Sequence, residues 1–275
     1  MRNICVITGG GSGMGLETAK CMPKDKTIVL SGRTVSKLTG AVNQLKELGY
    51  EAYAHPCDTS DRKSVRELAE YAATLGEIKN VINAAGMSPN MAKPEALLRV
   101  NALGTVYVNQ EFSRLMNKGS VILDISSNSA YVLPKILISK KIYGLSEIDE
   151  EAFVQKLLKK SRLAKGDYQQ AGLAYAYSKN FVIWYAQKSA FDLGKRGIRV
   201  ASLSPGLIAT AMGNLEKEEG GSMLKYGAEE RMGAPEELGF AIATAADERN
   251  GYLAGVDILV DGGCTNGKHF RSCKS

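Results

Sequence analysis

The chain has 275 residues, of which 44% are hydrophobic and 23% charged, and its formal net charge at pH 7 is +6. This is ordinary globular composition, and the length suits one α/β domain. No apolar run approaches a membrane span and no signal peptide opens the chain, so we expect no membrane association. The basic balance comes without a long Lys/Arg run or interleaved aromatic residues, so we expect no nucleic-acid partner.

The cysteine pattern argues against disulfides and metal binding. The number of cysteines is odd, none forms a C-x-x-C pair, and the chain has only two histidines. We therefore expect reduced thiols in a cytoplasmic protein and no metal site. The cysteines are Cys5, Cys21, Cys57, Cys264 and Cys273, and the histidines are His55 and His269.

Short apolar segments alternate with longer segments of helical spacing. The predicted strands are 3–8, 27–31, 51–55, 79–83, 120–126, 198–204 and 256–260. The predicted helices are 14–22, 34–48, 60–75, 94–117, 175–193 and 235–247. This alternation predicts an α/β fold, a doubly wound parallel sheet covered on both faces. With no repeat or linker, residues 1–265 are predicted as one domain and residues 266–275 as a C-terminal tail.

The glycine-rich segment 8–15 reads TGGGSGMG and lies between the first predicted strand and the first predicted helix. Glycines here permit a tight turn and let the backbone approach a pyrophosphate, while the helix N-terminus offers free N–H groups to the anion. A glycine cluster in this position of an alternating α/β chain predicts a dinucleotide-binding turn.

The end of the second predicted strand indicates which dinucleotide binds. An acidic residue there would accept hydrogen bonds from a ribose 2′-hydroxyl. The sequence is instead Leu30-Ser31-Gly32-Arg33, in which a guanidinium follows two small residues. Because arginine pairs well with phosphate oxygens, this favours NADP(H). If Arg33 stacks on adenine or is a surface charge, NAD(H) remains possible.

One connection is far longer than the others. Residues 127–174 join the fifth strand to the next helix, whereas a compact connection needs only a few residues. Residues 146–149 resemble a capping box, and behind it Phe153, Val154, Leu157 and Leu158 recur at helical spacing. The insertion 133–171 is predicted to be a helical subdomain over the site or against a partner subunit, and surface decoration is the alternative.

Further motifs follow in order along the chain, and together they resemble the classical short-chain dehydrogenase/reductase family from Thr8 to Gly263. They are Asp58 after the third strand, Asn83-Ala84-Ala85-Gly86, Asn101 in an Asn-Ala-Leu-Gly segment, Ser127 in Asp-Ile-Ser-Ser, Tyr175 with Lys179, Pro205-Gly206 with Thr210, and Val260-Asp261-Gly262-Gly263.

The resemblance implies a Rossmann-type fold and an NAD(P)-dependent oxidoreductase that acts on CH–OH groups. It implies that the catalytic residues are Asn101, Ser127, Tyr175 and Lys179. It also implies cofactor contacts from Gly9, Ser12, Gly13, Met14, Gly15, Arg33, Asp58, Thr59, Asn83, Ala84, Gly86, Tyr175, Lys179, Pro205, Gly206, Ile208 and Thr210.

Two tyrosines precede Lys179, and the family's Tyr-x-x-x-Lys signature fits only Tyr175. Residues 175 and 179 share a helix face one turn apart, whereas Tyr177 is rotated away from it. A free tyrosine has a pKa near ~10 and is a poor base at neutral pH, but a nearby ammonium favours the phenolate. Tyr175 is therefore predicted to exchange a proton with the substrate oxygen.

The remaining roles come from the resemblance and from simple chemistry. Ser127 would hydrogen-bond the same substrate oxygen, and Ser126 is the neighbouring alternative. Lys179 would orient the nicotinamide ribose and tune Tyr175, and the family implies that Asn101 holds a water linking Lys179 to solvent. A catalytically silent NADP-binding regulator is the alternative from a different class.

The substrate is the least determined feature. Residues 211–233 are predicted to form a lid with an apolar underside of Met212, Leu215, Met223 and Leu224. The insertion and the GLAYAYSKN segment resemble bacterial 3α-hydroxysteroid dehydrogenase/carbonyl reductases, which implies a bulky apolar substrate such as a hydroxysteroid or bile acid. Another carbonyl reductase, for a 3-oxoacyl thioester or small ketone, is the alternative.

Assembly is predicted from the family, whose members form homodimers or homotetramers through helices equivalent to 94–117 and 175–193. The insertion lies beside the second helix in sequence and could block or reshape that interface. The basic tail with Cys273 could cross to a neighbouring subunit.

Overall fold

The structure, a computed structural model, describes residues 2–216 and 221–272. Part of the predicted lid and the end of the predicted tail, including Cys273, therefore lie outside the described residues. Seven parallel strands form one sheet in the order β3-β2-β1-β4-β5-β6-β7. The strands are β1 (Asn3–Thr8), β2 (Lys26–Gly32), β3 (Glu51–Pro56), β4 (Glu77–Asn83), β5 (Val121–Ile125), β6 (Arg199–Pro205) and β7 (Asp257–Val260).

The helices follow the strands along the chain. They are α1 (Gly13–Cys21), α2 (Val35–Glu47), α3 (Arg62–Leu75), α4 (Pro94–Leu97), α5 (Gly104–Ser113), α6 (Lys140–Tyr143), α7 (Glu150–Ser161), α8 (Asp167–Gly194), α9 (Ala211–Leu215), α10 (Pro235–Ala245) and α11 (Cys264–Ser272). A π-helical segment, Leu98–Leu103, joins α4 to α5. Helix α11 crosses the boundary predicted between the domain and the tail.

The sheet separates two hydrophobic clusters, because successive side chains of a strand point to opposite faces. In β1, Ile4 and Val6 join the cluster on the side of α3, α5 and α8. Cys5 and Ile7 join the cluster on the side of α1, α2 and α10. All four side chains are fully buried. Burial on both faces explains the continuous apolar strands, and the doubly wound α/β fold predicted from sequence is confirmed.

The chain reverses its direction of travel across the sheet at β1, which lies between β2 and β4. In open parallel sheets the crevice for ligands lies outside the carboxyl ends of the strands at such a switch point. The glycine-rich segment follows β1, and Asn83 ends β4. The fold therefore brings the predicted cofactor residues to one edge of the sheet.

The insertion is helical, but its details differ from the sequence prediction. Helix α7 begins after Asp149, whose side chain accepts a hydrogen bond from the Ala152 N–H at 2.9 Å. Ser146 is buried in a 3₁₀ turn and does not cap the helix. The last residues assigned to the insertion belong to α8, which begins at Asp167 and not near Tyr175. Asp149 directly precedes the helix and its carboxylate is a good N-cap, so Asp149 takes the capping role in place of Ser146.

Aromatic contacts hold the insertion against α8. Phe153 of α7 and Tyr143 of α6 are fully buried, and their rings lie 4.8 Å and 5.3 Å from that of Phe181. Tyr143 also donates its hydroxyl to Asn180 Oδ1 at 2.9 Å. The insertion therefore covers the outer face of α8.

Polar contacts extend the same cover to α5 and α3. Glu150 accepts a hydrogen bond from Tyr107 at 2.5 Å and pairs with Arg62 at 2.8 Å. Glu147 accepts from Tyr185 and pairs with Lys188, both at 2.8 Å. The helices predicted to face a partner subunit are thus covered by the chain's own insertion.

No helix among residues 2–216 and 221–272 is long and apolar enough to cross a membrane.

Candidate active site

The glycine-rich turn is tightly packed against the end of β4. Gly9 has φ +68, and a Cβ there would lie 2.7 Å from Ala84 O. A Cβ at Gly15 would lie 2.5 Å from Gly9 O, and Gly13 has φ +57. Side chains are excluded at Gly9 and Gly15 by contact, and all three glycines leave the N-terminus of α1 open to a ligand.

A groove of about 270 Å³ runs along this turn. Of the predicted cofactor residues it is lined by Gly9, Ser12, Gly13, Met14, Gly15, Arg33, Asp58, Thr59, Ala84, Gly86 and Thr210. The groove is also lined by residues that the sequence analysis did not assign individually to cofactor contacts, namely Gly11, Gly32, Thr34, Lys37, Leu38, Cys57, Ala85, Met87, Met91, Val100, Ala211 and Met212. An elongated groove over open helix N–H groups and a glycine cradle fits a dinucleotide.

The end of the groove near β2 carries two cations. Arg33 and Lys37 both line it with exposed side chains, and Lys37 lies one turn after Arg33 at the start of α2. Asp58 lines the same end and accepts two hydrogen bonds from Ser60, at 2.7 and 2.9 Å. The spacing of Lys37 four residues after Arg33 was the signal that could have identified it from sequence.

The remaining predicted cofactor residues lie elsewhere. Asn83 is buried behind the groove, where it accepts from Thr8 Oγ1 at 2.9 Å and donates to Asp124 Oδ1 at 3.0 Å. Pro205, Gly206 and Ile208 line the neighbouring cavity together with Tyr175. Asn83 therefore fixes β1 to β4 and β5 and does not face the groove.

Tyr175 lines the neighbouring cavity, which shares Met14, Thr210 and Met212 with the groove. Tyr175 is partly buried, and Ser127 lines the same cavity beside it. Burial raises the pKa of Tyr175, the Ser127 hydrogen bond opposes the rise, and the negative charge of Glu216 adds to it. The pKa thus lies above the usual tyrosine value, so the hydroxyl is a proton donor at neutral pH.

Lys179 lies one turn further along α8. Its Nζ is 5.8 Å from the centre of the Tyr175 ring and donates to Ile125 O at 2.9 Å. The side chain is 5% exposed, and burial lowers its pKa to about 8 while Asp124 opposes the fall. The site therefore contains a lysine that titrates close to neutral pH beside the tyrosine.

Asn101 occupies the π-helical segment, a helix type that often marks functional positions. Its Oδ1 accepts from Met87 N at 2.9 Å, and its Nδ2 donates to Met87 O at 3.0 Å. A Cβ at Gly86 would lie 3.2 Å from Asn101 Oδ1 and 3.4 Å from Lys179 Nζ. Asn101, Gly86 and Lys179 thus converge below the groove.

The alternative residues have other partners. Ser126 donates its hydroxyl to Lys179 O at 2.7 Å, which ties the strand end to α8. Tyr177 is 2% exposed and belongs to the core beneath the insertion. Ser126, Ser127 and Tyr175 line the cavity whereas Tyr177 does not, and Ser127 is the serine that opposes the rise in the pKa of Tyr175.

The cavity beside Tyr175 has a volume of about 460 Å³ and is mostly apolar. Met212, Met223 and Leu224 of the predicted lid line it, whereas Leu215 is 56% exposed and does not. The other lining residues are Gly213 and Glu216 of the predicted lid, and residues that the sequence analysis did not assign to the cavity, namely Ser88, Pro89, Asn128, Ser129, Tyr131, Val132, Tyr168, Gly172, Leu207, Cys264 and Thr265. These lining residues come from five separate segments of the chain, so no local sequence pattern identifies the cavity.

Comparison with known proteins gives two family models. The model described as short chain dehydrogenase matches residues 3–140, and the model described as Enoyl-(Acyl carrier protein) reductase matches residues 158–265. A short-chain dehydrogenase/reductase of Alternaria brassicicola is 28% identical over 264 residues, which is 94% of either chain. The 7alpha-hydroxysteroid dehydrogenase of Escherichia coli K12 is 25% identical over 270 residues, covering 94% of this chain and 92% of that protein.

Among solved structures, a short chain dehydrogenase from Burkholderia cenocepacia in complex with NADP superposes with a TM-score of 0.74. It is 22% identical, with 96% of this chain and 97% of that chain covered. The shared fold extends over nearly the whole length of both chains.

Proposed function

The chain belongs to the short-chain dehydrogenase/reductase family, and on that premise we propose that it interconverts a secondary alcohol and a ketone with NADP(H) as cofactor. The observation that carries the proposal is that Ser127 and Tyr175 line the same cavity, with Lys179 Nζ 5.8 Å from the centre of the Tyr175 ring. The cavity is large and mostly apolar, and it shares Met14, Thr210 and Met212 with the glycine-lined groove.

The groove residues would hold the cofactor. The α1 N-terminus and the glycine turn suit the pyrophosphate, and Arg33 with Lys37 suits a 2′-phosphate. The absence of a carboxylate at the end of β2 supports NADP(H) over NAD(H). When bound, the nicotinamide supplies or accepts the hydride.

Tyr175 moves the proton in this proposal. In ketone reduction its hydroxyl donates to the substrate oxygen, and in alcohol oxidation its phenolate removes the proton. Ser127 positions the same oxygen by a hydrogen bond. The Lys179 ammonium favours the phenolate through its charge, and Asn101 holds the loop at Met87 and Gly86 that lies over Lys179.

The cavity supports a bulky, largely apolar substrate such as a hydroxysteroid. Its volume lies in the range of pockets that enclose drug-sized ligands, and the apolar side chains of the lid close one side. Exposed Tyr131 and Val132, 44% and 67% exposed, extend the apolar wall at its mouth. A relative that matches nearly the whole chain is named 7alpha-hydroxysteroid dehydrogenase, which is consistent with this class of substrate.

The experiment is steady-state oxidation of a panel of hydroxysteroids, bile acids and small secondary alcohols, with NADP⁺ and NAD⁺ in parallel. We expect turnover with NADP⁺ on the bulky alcohols. Turnover confined to small alcohols or 3-oxoacyl thioesters would replace the substrate class. Cofactor binding without turnover of any substrate would leave the silent regulator.

The matched variants are Tyr175→Phe and Tyr177→Phe, which each remove one hydroxyl from the same helix. Tyr177 packs away from the site, so we expect its variant to retain activity. We expect Tyr175→Phe to lose at least ~100-fold in kcat/KM, the usual contribution of a general acid or base. Equal activity of the two variants would refute the assignment of Tyr175.

A further inference from the structure

A row of polar side chains crosses the sheet from the carboxyl ends of β1 and β4 to the first residue of β7. Thr8, Asn83, Asp124 and Ser202 are in register on β1, β4, β5 and β6, and Asp257 of β7 continues the row. Because residues in register on parallel strands point to the same face, these side chains form one layer beneath the cleft. Burying polar side chains costs free energy unless they are hydrogen-bonded, so the partners of each side chain in this layer are informative.

Asp124 is the carboxyl group in the middle of this row, and it is fully buried. Asn83 Nδ2 donates to its Oδ1 at 3.0 Å, and Asn109 Nδ2 donates to its two oxygens at 3.0 and 2.9 Å. Asn109 Oδ1 has no hydrogen-bond partner among the described residues. The amides are thus oriented as donors toward Asp124, which is the arrangement that favours the ionised carboxylate.

Lys179 is the buried cation that binds the strand next to this carboxylate. Its Nζ donates to the carbonyl oxygen of Ile125, the residue next to Asp124, and both side chains are buried. Burial raises the pKa of Asp124 to about 7, whereas Asn109, Asn83 and Lys179 lower it. The opposite charges of Asp124 and Lys179 therefore each favour the charged form of the other group.

We propose that Asp124 is a positioning residue of the reaction, the buried countercharge that keeps the Lys179 ammonium protonated beneath Tyr175. The inference rests on the role proposed above for Lys179. Without an anion in this layer, a lysine this deeply buried loses its proton more readily, since low dielectric surroundings disfavour an isolated charge.

The other groups that face the pair do not replace Asp124. On α8, Tyr175 and Tyr185 are the titratable neighbours, and Tyr185 donates its hydroxyl to Glu147 at 2.8 Å. Asp257 lies two strands away, where it accepts from Ser202 at 2.6 Å and from Tyr131 at 2.5 Å. The other side chains that contact Asp124 or its partners are the neutral Thr8, Asn83, Thr105 and Asn109.

The test is to follow the Lys179 proton directly in the full-length protein without cofactor. Lysine labelled with ¹³Cε and ¹⁵Nζ is observed by NMR during a pH titration, and the Lys179 signal is assigned by its absence in Lys179→Met. We expect a midpoint well below that of surface lysines, and a further fall of about one pH unit in Asp124→Asn, as for removal of a nearby opposite charge.

A carboxylate in the same row provides the control. Asp257→Asn removes a negative charge two strands from Asp124, and we expect the Lys179 midpoint to change little. An unchanged midpoint in Asp124→Asn, or equal shifts in both variants, would overturn the proposal. Neither result depends on turnover, so the proposal and the proposed function can fail separately.

Activity gives a second readout that a purely structural role would not produce. The ratio of kcat/KM for Asp124→Asn over wild type, measured for alcohol oxidation, should fall as pH rises through the interval between the two Lys179 midpoints. The reason is that the variant has lost the ammonium there while the wild type keeps it. A ratio that is constant with pH would indicate damage to the fold alone and would contradict the proposal.

If Asp124→Asn does not fold, the wild type alone decides the matter. With ¹³Cγ-labelled aspartate, the Asp124 carboxyl signal is followed through the Lys179 titration. We expect the carboxyl group to be ionised by the pH at which Lys179 loses its proton. A carboxyl group that stays protonated beyond that pH cannot be the countercharge.

Discussion

At the scale of single residues, the site depends on close approach between the loop after β4 and two polar side chains. Gly86 lies beside Asn101 and Lys179, and its missing Cβ is what allows the loop to pass over the lysine. A side chain at this position would displace Asn101 Oδ1 or Lys179 Nζ by a few tenths of an ångström. Small displacements matter because catalysis needs the proton donor and the reacting atoms in a fixed geometry.

Gly86→Ala is therefore expected to lower kcat/KM by about tenfold, an increase of about 1.4 kcal/mol in the barrier, while the protein stays folded. Steady-state kinetics and a thermal melt measure the two quantities. The control is Gly40→Ala on α2, where a Cβ would meet no atom within 4 Å and alanine favours the helix. Equal kinetic effects of the two substitutions would contradict the prediction.

Arg33 and Lys37, the two cations of the cofactor groove, can each be tested by a single substitution. Arg33→Ala should raise KM for NADP⁺ by about tenfold or more, because a hydrogen bond to a charged group contributes about 1.5–3 kcal/mol. KM for NAD⁺ should change little, since NAD⁺ has no 2′-phosphate. Lys37→Ala should act in the same direction.

Arg249→Ala is the control, because Arg249 is an exposed arginine that does not line the groove. Parallel changes for both cofactors would indicate adenine stacking by Arg33.

At the scale of elements, the insertion is a second small core attached to α8. Phe153, Leu157 and Tyr143 are buried there at 1% exposure or less. Polar contacts from Glu147 and Glu150 hold its rim to α5, α3 and the middle of α8. The insertion therefore stabilises the helix that carries Tyr175 and Lys179, and of residues 133–171 it is Tyr168 that lines the substrate cavity.

Phe153→Ala should lower the free energy of unfolding by about 3–5 kcal/mol, the cost of removing a buried phenylalanine ring. Urea unfolding followed by circular dichroism measures this change. Ile148→Ala in the same insertion is the control, because Ile148 is 83% exposed and should change stability by less than about 0.5 kcal/mol. A small effect of Phe153→Ala would mean that the insertion opens independently of the core.

At the scale of the whole molecule, assembly must use surfaces other than the covered faces of α5 and α8. Helix α10 carries Phe240 at 68% exposure, and it packs on α1 beside the sheet. An exposed aromatic side chain on a regular helix is a suitable interface residue. The predicted homodimer or homotetramer remains a prediction, but the structure restricts which faces can form it.

Light scattering tests this prediction. We expect a mass above the 29.6 kDa of one chain, lowered by Phe240→Asp and unchanged by Lys156→Glu on the exposed side of α7. The reason is that a buried aspartate at an interface costs desolvation, whereas a charge change on a free surface does not. Dissociation by Lys156→Glu would show that the insertion itself forms the interface.

The sequence by itself determined the fold class, the cofactor turn and the spacing of Tyr175 and Lys179. These features are local, because strand and helix periods, a glycine turn and a one-turn separation are properties of adjacent residues. For the same reason it predicted most strand bounds within a few residues, but placed the start of α8 two turns late. The start of α8 carries no capping motif, because the N-cap residue is Gly166, which offers no side-chain hydrogen bond to the helix.

Only the tertiary structure decided what the insertion covers, which cation accompanies Arg33, which residues line the substrate cavity, and that Lys179 binds the strand next to Asp124. Each of these depends on strand order and helix packing, which bring together positions far apart in the chain. Lys179 binds the carbonyl group of Ile125, the residue after Asp124, because β5 and α8 are neighbours in the fold, and Tyr131 binds Asp257 because β7 follows β6 in the sheet. Long-range contacts of this kind leave no period or spacing in the sequence.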